Sequence, residues 1–136
     1  MPQLTPPPHS QDRSLHYVTR GEGTHHLVLL HGLTGSHLNW NKLAHELKHE
    51  VATTAFDFIG HAKSSAPDQP EAYQTDAVLS DIDQFVTAPI QTSPQKKAIL
   101  CGLSMGAAAM LQYTLKNPEN VEALILTSYP PARQLG

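Results

Sequence analysis

The chain has 136 residues, with 9 lysines and arginines against 12 acidic residues; a net charge of −3 excludes the clustered basic surface of a nucleic-acid or membrane-surface binder. Hydrophobic residues at 40% and charged residues at 15% exclude a disordered chain, and the single cysteine, Cys101, excludes an internal disulfide framework or a paired-cysteine site. No apolar run reaches the length of a membrane span or a secretory signal, so the expectation is a small, soluble, cytoplasmic unit.

Pro2, Pro6, Pro7 and Pro8 lie among polar residues and predict a flexible, Pro-rich leader over residues 1–14. From Leu15 the alternation of Leu15 and Tyr17 with His16 and Val18 predicts a strand, which turns at Gly21 and Gly23. Leu27, Val28, Leu29 and Leu30 are contiguous and apolar, the pattern of a strand covered on both faces. Ser36 is placed to cap a helix running to about Glu50, with Trp40, Leu43, Ala44 and Leu47 as its apolar stripe. A strand is expected from Val51 to Phe56, a loop from His61 to Pro70, and a second helix from about Ala72 to Val86. Pro89 and Pro94 bracket the next loop. The strand Ala98–Leu100 then leads through a turn into an alanine-rich helix that ends before Pro118, and Val121–Thr127 is a last strand. From Leu27 onward strands alternate with helices, which predicts an α/β fold: a doubly wound, mostly parallel sheet with helices on both faces.

His45-Glu46-Leu47-Lys48-His49 fits the zinc-protease pattern H-E-x-x-H. That chemistry needs both histidines aimed into a dry cleft. At about 100° per residue Trp40, Leu43 and Leu47 share one helix face, and His45 and His49 fall on the opposite, solvent side. A polar helix face is the expectation here, not a metal site.

Gly102-Leu103-Ser104-Met105-Gly106 fits G-x-S-x-G, set between a strand and a helix. The glycines permit a sharp strand-to-helix turn that projects the serine hydroxyl above the sheet, and the Met105 N–H at the helix start can stabilise an oxyanion beside it. His31-Gly32 closes the first buried strand, and the Leu33 N–H can supply a second oxyanion donor. Asp57-Phe58-Ile59-Gly60-His61-Ala62-Lys63-Ser64 makes a turn after the next strand.

In this order, from about Leu15 to Tyr129, the three segments resemble those of the α/β-hydrolase superfamily, most nearly its small esterase and carbon–carbon hydrolase branches. Ala62 stands where that pattern has a second glycine, and Ala107 where a glycine often follows the elbow. The resemblance implies Ser104 as nucleophile, Leu33 and Met105 as backbone oxyanion donors, and Gly102 and Gly106 as elbow glycines. It makes His31 and Gly32 supports of the oxyanion loop, and implies no metal, no cofactor and a small-molecule acyl substrate. Asp57 reads as a turn-stabilising carboxylate and Cys101 as a buried small hydrophobe.

In that superfamily the triad acid and histidine follow the serine along the chain. Glu119 and Glu122 follow Ser104, but no histidine comes after His61. The expectation is therefore the N-terminal portion, residues 15–136, of a fold that usually takes about 250 residues. It lacks the lid and the last two strands, and it is inactive and poorly folded as an isolated chain. Truncation of a longer hydrolase is the first expectation; a complementary chain that supplies the remainder and a catalytically silent relic are the alternatives. The sheet edge at Leu124-Ile125-Leu126 is a candidate surface for a complementary chain or self-association. The expected reaction is hydrolysis of a carboxylic ester or similar acyl bond through an acyl-serine. Carbon–carbon bond hydrolysis on the same fold and a non-catalytic binding or assembly module are the alternatives.

Overall fold

Four aliphatic residues in a row cannot all be buried by a sheet with one wet face, and Leu27–Leu30 are all buried. They form the strand β2 (His26–Leu30), which lies in the middle of a five-stranded sheet with β1 (Tyr17–Arg20), β3 (Ala52–Phe56), β4 (Ala98–Leu103) and β5 (Val121–Thr127). A computed structural model describes residues 13–129. The strand order is β1-β3-β2-β4-β5, with β1 antiparallel to β3 and every other pair parallel.

The period of two along β2 divides the core. Val28 and Leu30 face a cluster with Phe56, Leu100, Leu79, Ile82 and Tyr113, under the helices α2 (Thr75–Ile90) and α3 (Met105–Lys116). Leu27 and Leu29 face Trp40, Ala55 and Cys101 on the side of the short helix α1 (Asn41–Glu46). Helices thus cover both faces, as the alternation of elements predicted.

Two helices differ from their sequence patterns. Ser36 does cap its element: its hydroxyl accepts from the Leu38 N–H at 3.1 Å, and the Asn39 side chain accepts from the Ser36 N–H at 2.8 Å. The first turn, His37–Trp40, is a 3-10 turn, and α1 stops at Glu46 instead of reaching Glu50. The loop after β1 takes up the missing turn, since the Glu22 N–H donates to the Lys48 carbonyl at 2.9 Å. Leu43 in consequence stays 37% exposed, while Ala44 is buried. The second helix begins at Thr75, after a 3-10 turn over Pro70–Tyr73, and includes Pro89, which the sequence pattern put in a loop. At the penultimate position the missing N–H interrupts only the end of the ladder, and the buried Ile90 anchors the last turn in the core.

The leader lies outside the described residues except for its last two, and those are tied down. The Arg13 guanidinium donates to both Asp81 oxygens, at 2.7 and 2.6 Å, and to the Ala72 carbonyl at 2.7 Å. The Ser14 N–H donates to the Ser65 hydroxyl at 2.9 Å. Among the described residues β5 is an outer strand, and Ile125, level with Cys101 of β4, is 46% exposed. No helix among the described residues is long and apolar enough to cross a membrane.

Candidate active site

Because β2, β3 and β4 are parallel, the turns that follow them meet at one edge of the sheet, where ligands of open α/β sheets bind. Between β4 and α3 stands one residue, Ser104, which reverses the chain at φ 54° and ψ −111°, a region that L residues adopt only under constraint. Its N–H donates to the Thr127 carbonyl at 2.9 Å, and its carbonyl accepts from the Ala108 N–H at 3.1 Å. The flanking glycines leave no room for side chains. A Cβ on Gly106 would stand 2.3 Å from the Leu30 carbonyl oxygen, and one on Gly102 would stand 2.4 Å from the Gly106 carbonyl oxygen. Ser104 is half-buried, and its hydroxyl has no hydrogen-bond partner among the described residues.

The turn after β2 faces this elbow. A Cβ on Gly32 would lie 3.2 Å from Ser104 Cβ and 3.8 Å from the Met105 nitrogen. Leu33 follows at 67% exposure, and the Gly35 N–H closes the turn on the Gly32 carbonyl at 3.0 Å. As the first residue of α3, Met105 has an N–H outside the helical ladder. Gly32, Leu33, Ser104 and Met105 are therefore together in space. Beside them opens a cavity of about 380 Å³ with Leu33, Met105, Phe58, Val78 and Ala109 in its lining.

His31 is fully buried and both ring nitrogens are engaged. Nε2 accepts from the Phe58 N–H at 3.0 Å, which leaves Nδ1 to donate to the Gly32 carbonyl at 2.6 Å. Burial pushes its pKa down, so the ring is neutral, with no lone pair left for a substrate proton. A brace between the β2 and β3 turns is the role this geometry allows.

Asp57 is also fully buried. One oxygen accepts from the His37 N–H at 2.7 Å and from His37 Nδ1 at 2.8 Å, and the other accepts from the Lys63 N–H at 3.1 Å. Burial alone would raise its pKa, but the donors from His37 and Lys63 bring it below the ordinary value. The turn continues through Ala62, held at φ 45° where a glycine would sit without strain. His37 received no role from sequence reasoning, because nothing in linear spacing couples residues 37 and 57. Cys101 is buried, and burial raises its thiol pKa, the behaviour of an inert core residue. His45, Glu46 and His49 are exposed, and His49 lies beyond the end of α1.

Two outcomes follow from these observations. Ser104→Gly should unfold at higher denaturant than Ser104→Ala, by about 1–2 kcal/mol, because only glycine relaxes the elbow backbone; equal midpoints would show no strain there. For Asp57 the folded pKa is depressed, so its contribution is present above the ordinary value of 3.8 and is lost as pH falls through the folded value. A urea-midpoint series should hold steady down to about the ordinary value of 3.8 and drop below it, with a shallower drop in Asp57→Asn.

Comparison with known proteins places this geometry. Residues 25–134 match the family described as alpha/beta hydrolase fold. The chain is 29% identical over 127 residues to epoxide hydrolase 3 of Mus musculus, covering 93% of this chain and 34% of that protein. It is 32% identical over 117 residues to the pimeloyl-[acyl-carrier protein] methyl ester esterase of Proteus mirabilis, covering 86% and 41%. Among solved structures, the thioesterase domain from the curacin biosynthetic pathway superposes with a TM-score of 0.75 at 26% identity, covering 90% of this chain and 47% of that one. The chain thus spans between a third and a half of the length of these three proteins. With the matched family covering most of its length, the chain belongs to the alpha/beta hydrolase fold family.

Proposed function

We propose that this chain carries the nucleophile half of a serine hydrolase that cleaves carboxylic esters or similar acyl bonds through an acyl-Ser104 intermediate. In the proposed reaction Ser104 Oγ attacks the substrate carbonyl carbon and gives its proton to a base. The oxyanion of the tetrahedral intermediate faces the N–H groups of Leu33 and Met105. Collapse expels the alcohol, which takes up the proton, and water then hydrolyses the acyl-serine to release the acid.

The observation that carries this reading is the residue type at the elbow. The relatives include an epoxide hydrolase and an esterase, and the chemistry of serine separates the two reactions. A serine oxygen that opened an epoxide would leave an ether, which water does not hydrolyse, so the enzyme would be consumed. A serine oxygen that attacks an ester leaves another ester, which water does hydrolyse. The apolar cavity beside Leu33 and Met105 suits the hydrocarbon portion of such a substrate.

No side chain among the described residues is hydrogen-bonded to Ser104 as a base. His31 is engaged at both nitrogens, no histidine follows His61, and the Ser104 hydroxyl has no partner among the described residues. The proposal therefore has the acid and base come from a complementary segment, seated beside the outer strand β5, whose Thr127 already holds the elbow.

Exogenous imidazole can stand in for the missing base. With a fluorophosphonate probe, the folded chain should label at Ser104 slowly, and imidazole should speed labelling by about tenfold or more, a fraction of the usual general-base effect. Ser104→Ala should abolish it. A folded chain that never labels at Ser104, with or without imidazole, would leave the non-catalytic binding or assembly module as the better reading.

A further inference from the structure

We propose that His16, His37 and Asp57 form a binding site for a zinc-type divalent cation that ties the turn after β2 to the sheet. One ligand-type atom from each of the three lies within 4.8 Å of the others. Asp57 and His37 are buried and His16 is half-buried, so of the three His16 is the one that solvent reaches most. The residues come from three separate segments. His16 directly precedes β1, His37 follows the turn that carries Leu33, and Asp57 directly follows β3.

The backbone of the cluster is fixed without any ion. The His16 N–H donates to the Ser64 hydroxyl at 2.9 Å, the Asp57 N–H donates to the His16 carbonyl at 2.9 Å, and the His37 N–H donates to Asp57 at 2.7 Å. The His16 side chain is not committed: its ring lies 4.7 Å from that of His37, and neither of its nitrogens has a hydrogen-bond partner among the described residues. Two imidazoles and a carboxylate are the donor set that suits zinc, with water in the fourth position. Bonds of about 2.0–2.2 Å to zinc need donors closer together than 4.8 Å. Rotation of the uncommitted His16 ring can supply that approach. Where the ion replaces the hydrogen bond from His37 Nδ1 to Asp57, the Nδ1 proton moves to Nε2, so the ring stays neutral and Nδ1 offers its lone pair to the ion.

The contrast with the sequence motif supports the assignment. The histidines of H-E-x-x-H are exposed and sit on no common helix, whereas His16 and His37 share no motif and meet beside a buried carboxylate. An ion here would cross-link residues 16, 37 and 57 and stiffen the turn bearing Leu33. Its role is to hold that turn and it does not depend on the role of Ser104.

The test is zinc ion titrated into the metal-free 136-residue chain at neutral pH, read by calorimetry, by thermal unfolding and by the ¹⁵N shifts of the histidine rings. Expected are one ion per chain, a melting temperature raised by several degrees, and shifts at His16 and His37. His16→Phe, which keeps a ring against His37 but offers no donor, should weaken binding at least tenfold. The double variant His45→Ala/His49→Ala should bind as the parent does. Absence of stoichiometric binding, or binding that persists in His16→Phe, would overturn the proposal. So would shifts at His45 and His49 in place of His16 and His37, a readout that needs no variant to fold.

Discussion

Three pieces of backbone touch at the elbow with no side chain between them, and the rest of the structure is arranged around that contact. The Leu30 and His31 carbonyl oxygens at the end of β2 would stand 2.3 and 2.5 Å from a Cβ on Gly106. Gly102 in β4 is pressed just as closely on the Gly106 carbonyl and the Ala107 nitrogen. The first turn of α3 can seat there only because both positions are glycine, and seating it forces Ser104 into its strained conformation. The same contact brings the Met105 nitrogen up to the Gly32 turn and opens the apolar cavity beside both.

A second constraint secures the turns around the elbow. Two polar side chains at the strand ends, His31 and Asp57, are completely buried; His31 is held by neighbouring backbone, and Asp57 by backbone N–H groups together with the His37 ring. Buried groups of this kind cost stability unless partnered, so they specify one arrangement of the loops that satisfies them. His31 joins the β2 turn to the β3 turn, and Asp57 joins the β3 turn to His37 and Lys63. The polar network thereby fixes the turns that carry Gly32 and Leu33 against the β3 turn.

The sheet and its order of elements were legible in the sequence because strands and helices here carry clear periods: the solid run Leu27–Leu30, the β-branched Thr53 and Thr54, the alanine-rich α3. The turn at Ser104 was legible because so tight a passage from strand to helix demands glycines at fixed offsets. What escaped were features set by contacts between distant segments. The end of α1 at Glu46 depends on Lys48 accepting from Glu22. The inclusion of Pro89 in α2 depends on the burial of Ile90. The meeting of His16, His37 and Asp57 depends on the pairing of β1 with β3. Local propensity carries none of these.

Residues at the C-terminal ends of β2 and β4 bring a strained serine beside the Gly32 turn, an arrangement that a sheet edge can build by itself. The most direct measurement of the account is the equilibrium unfolding of Gly106→Ala. If the glycine contact holds fold and site together, the variant loses at least about 3 kcal/mol or has no cooperative transition, because the obstructing atoms are backbone and cannot turn aside. A variant that unfolds within about 0.5 kcal/mol of the parent would contradict it.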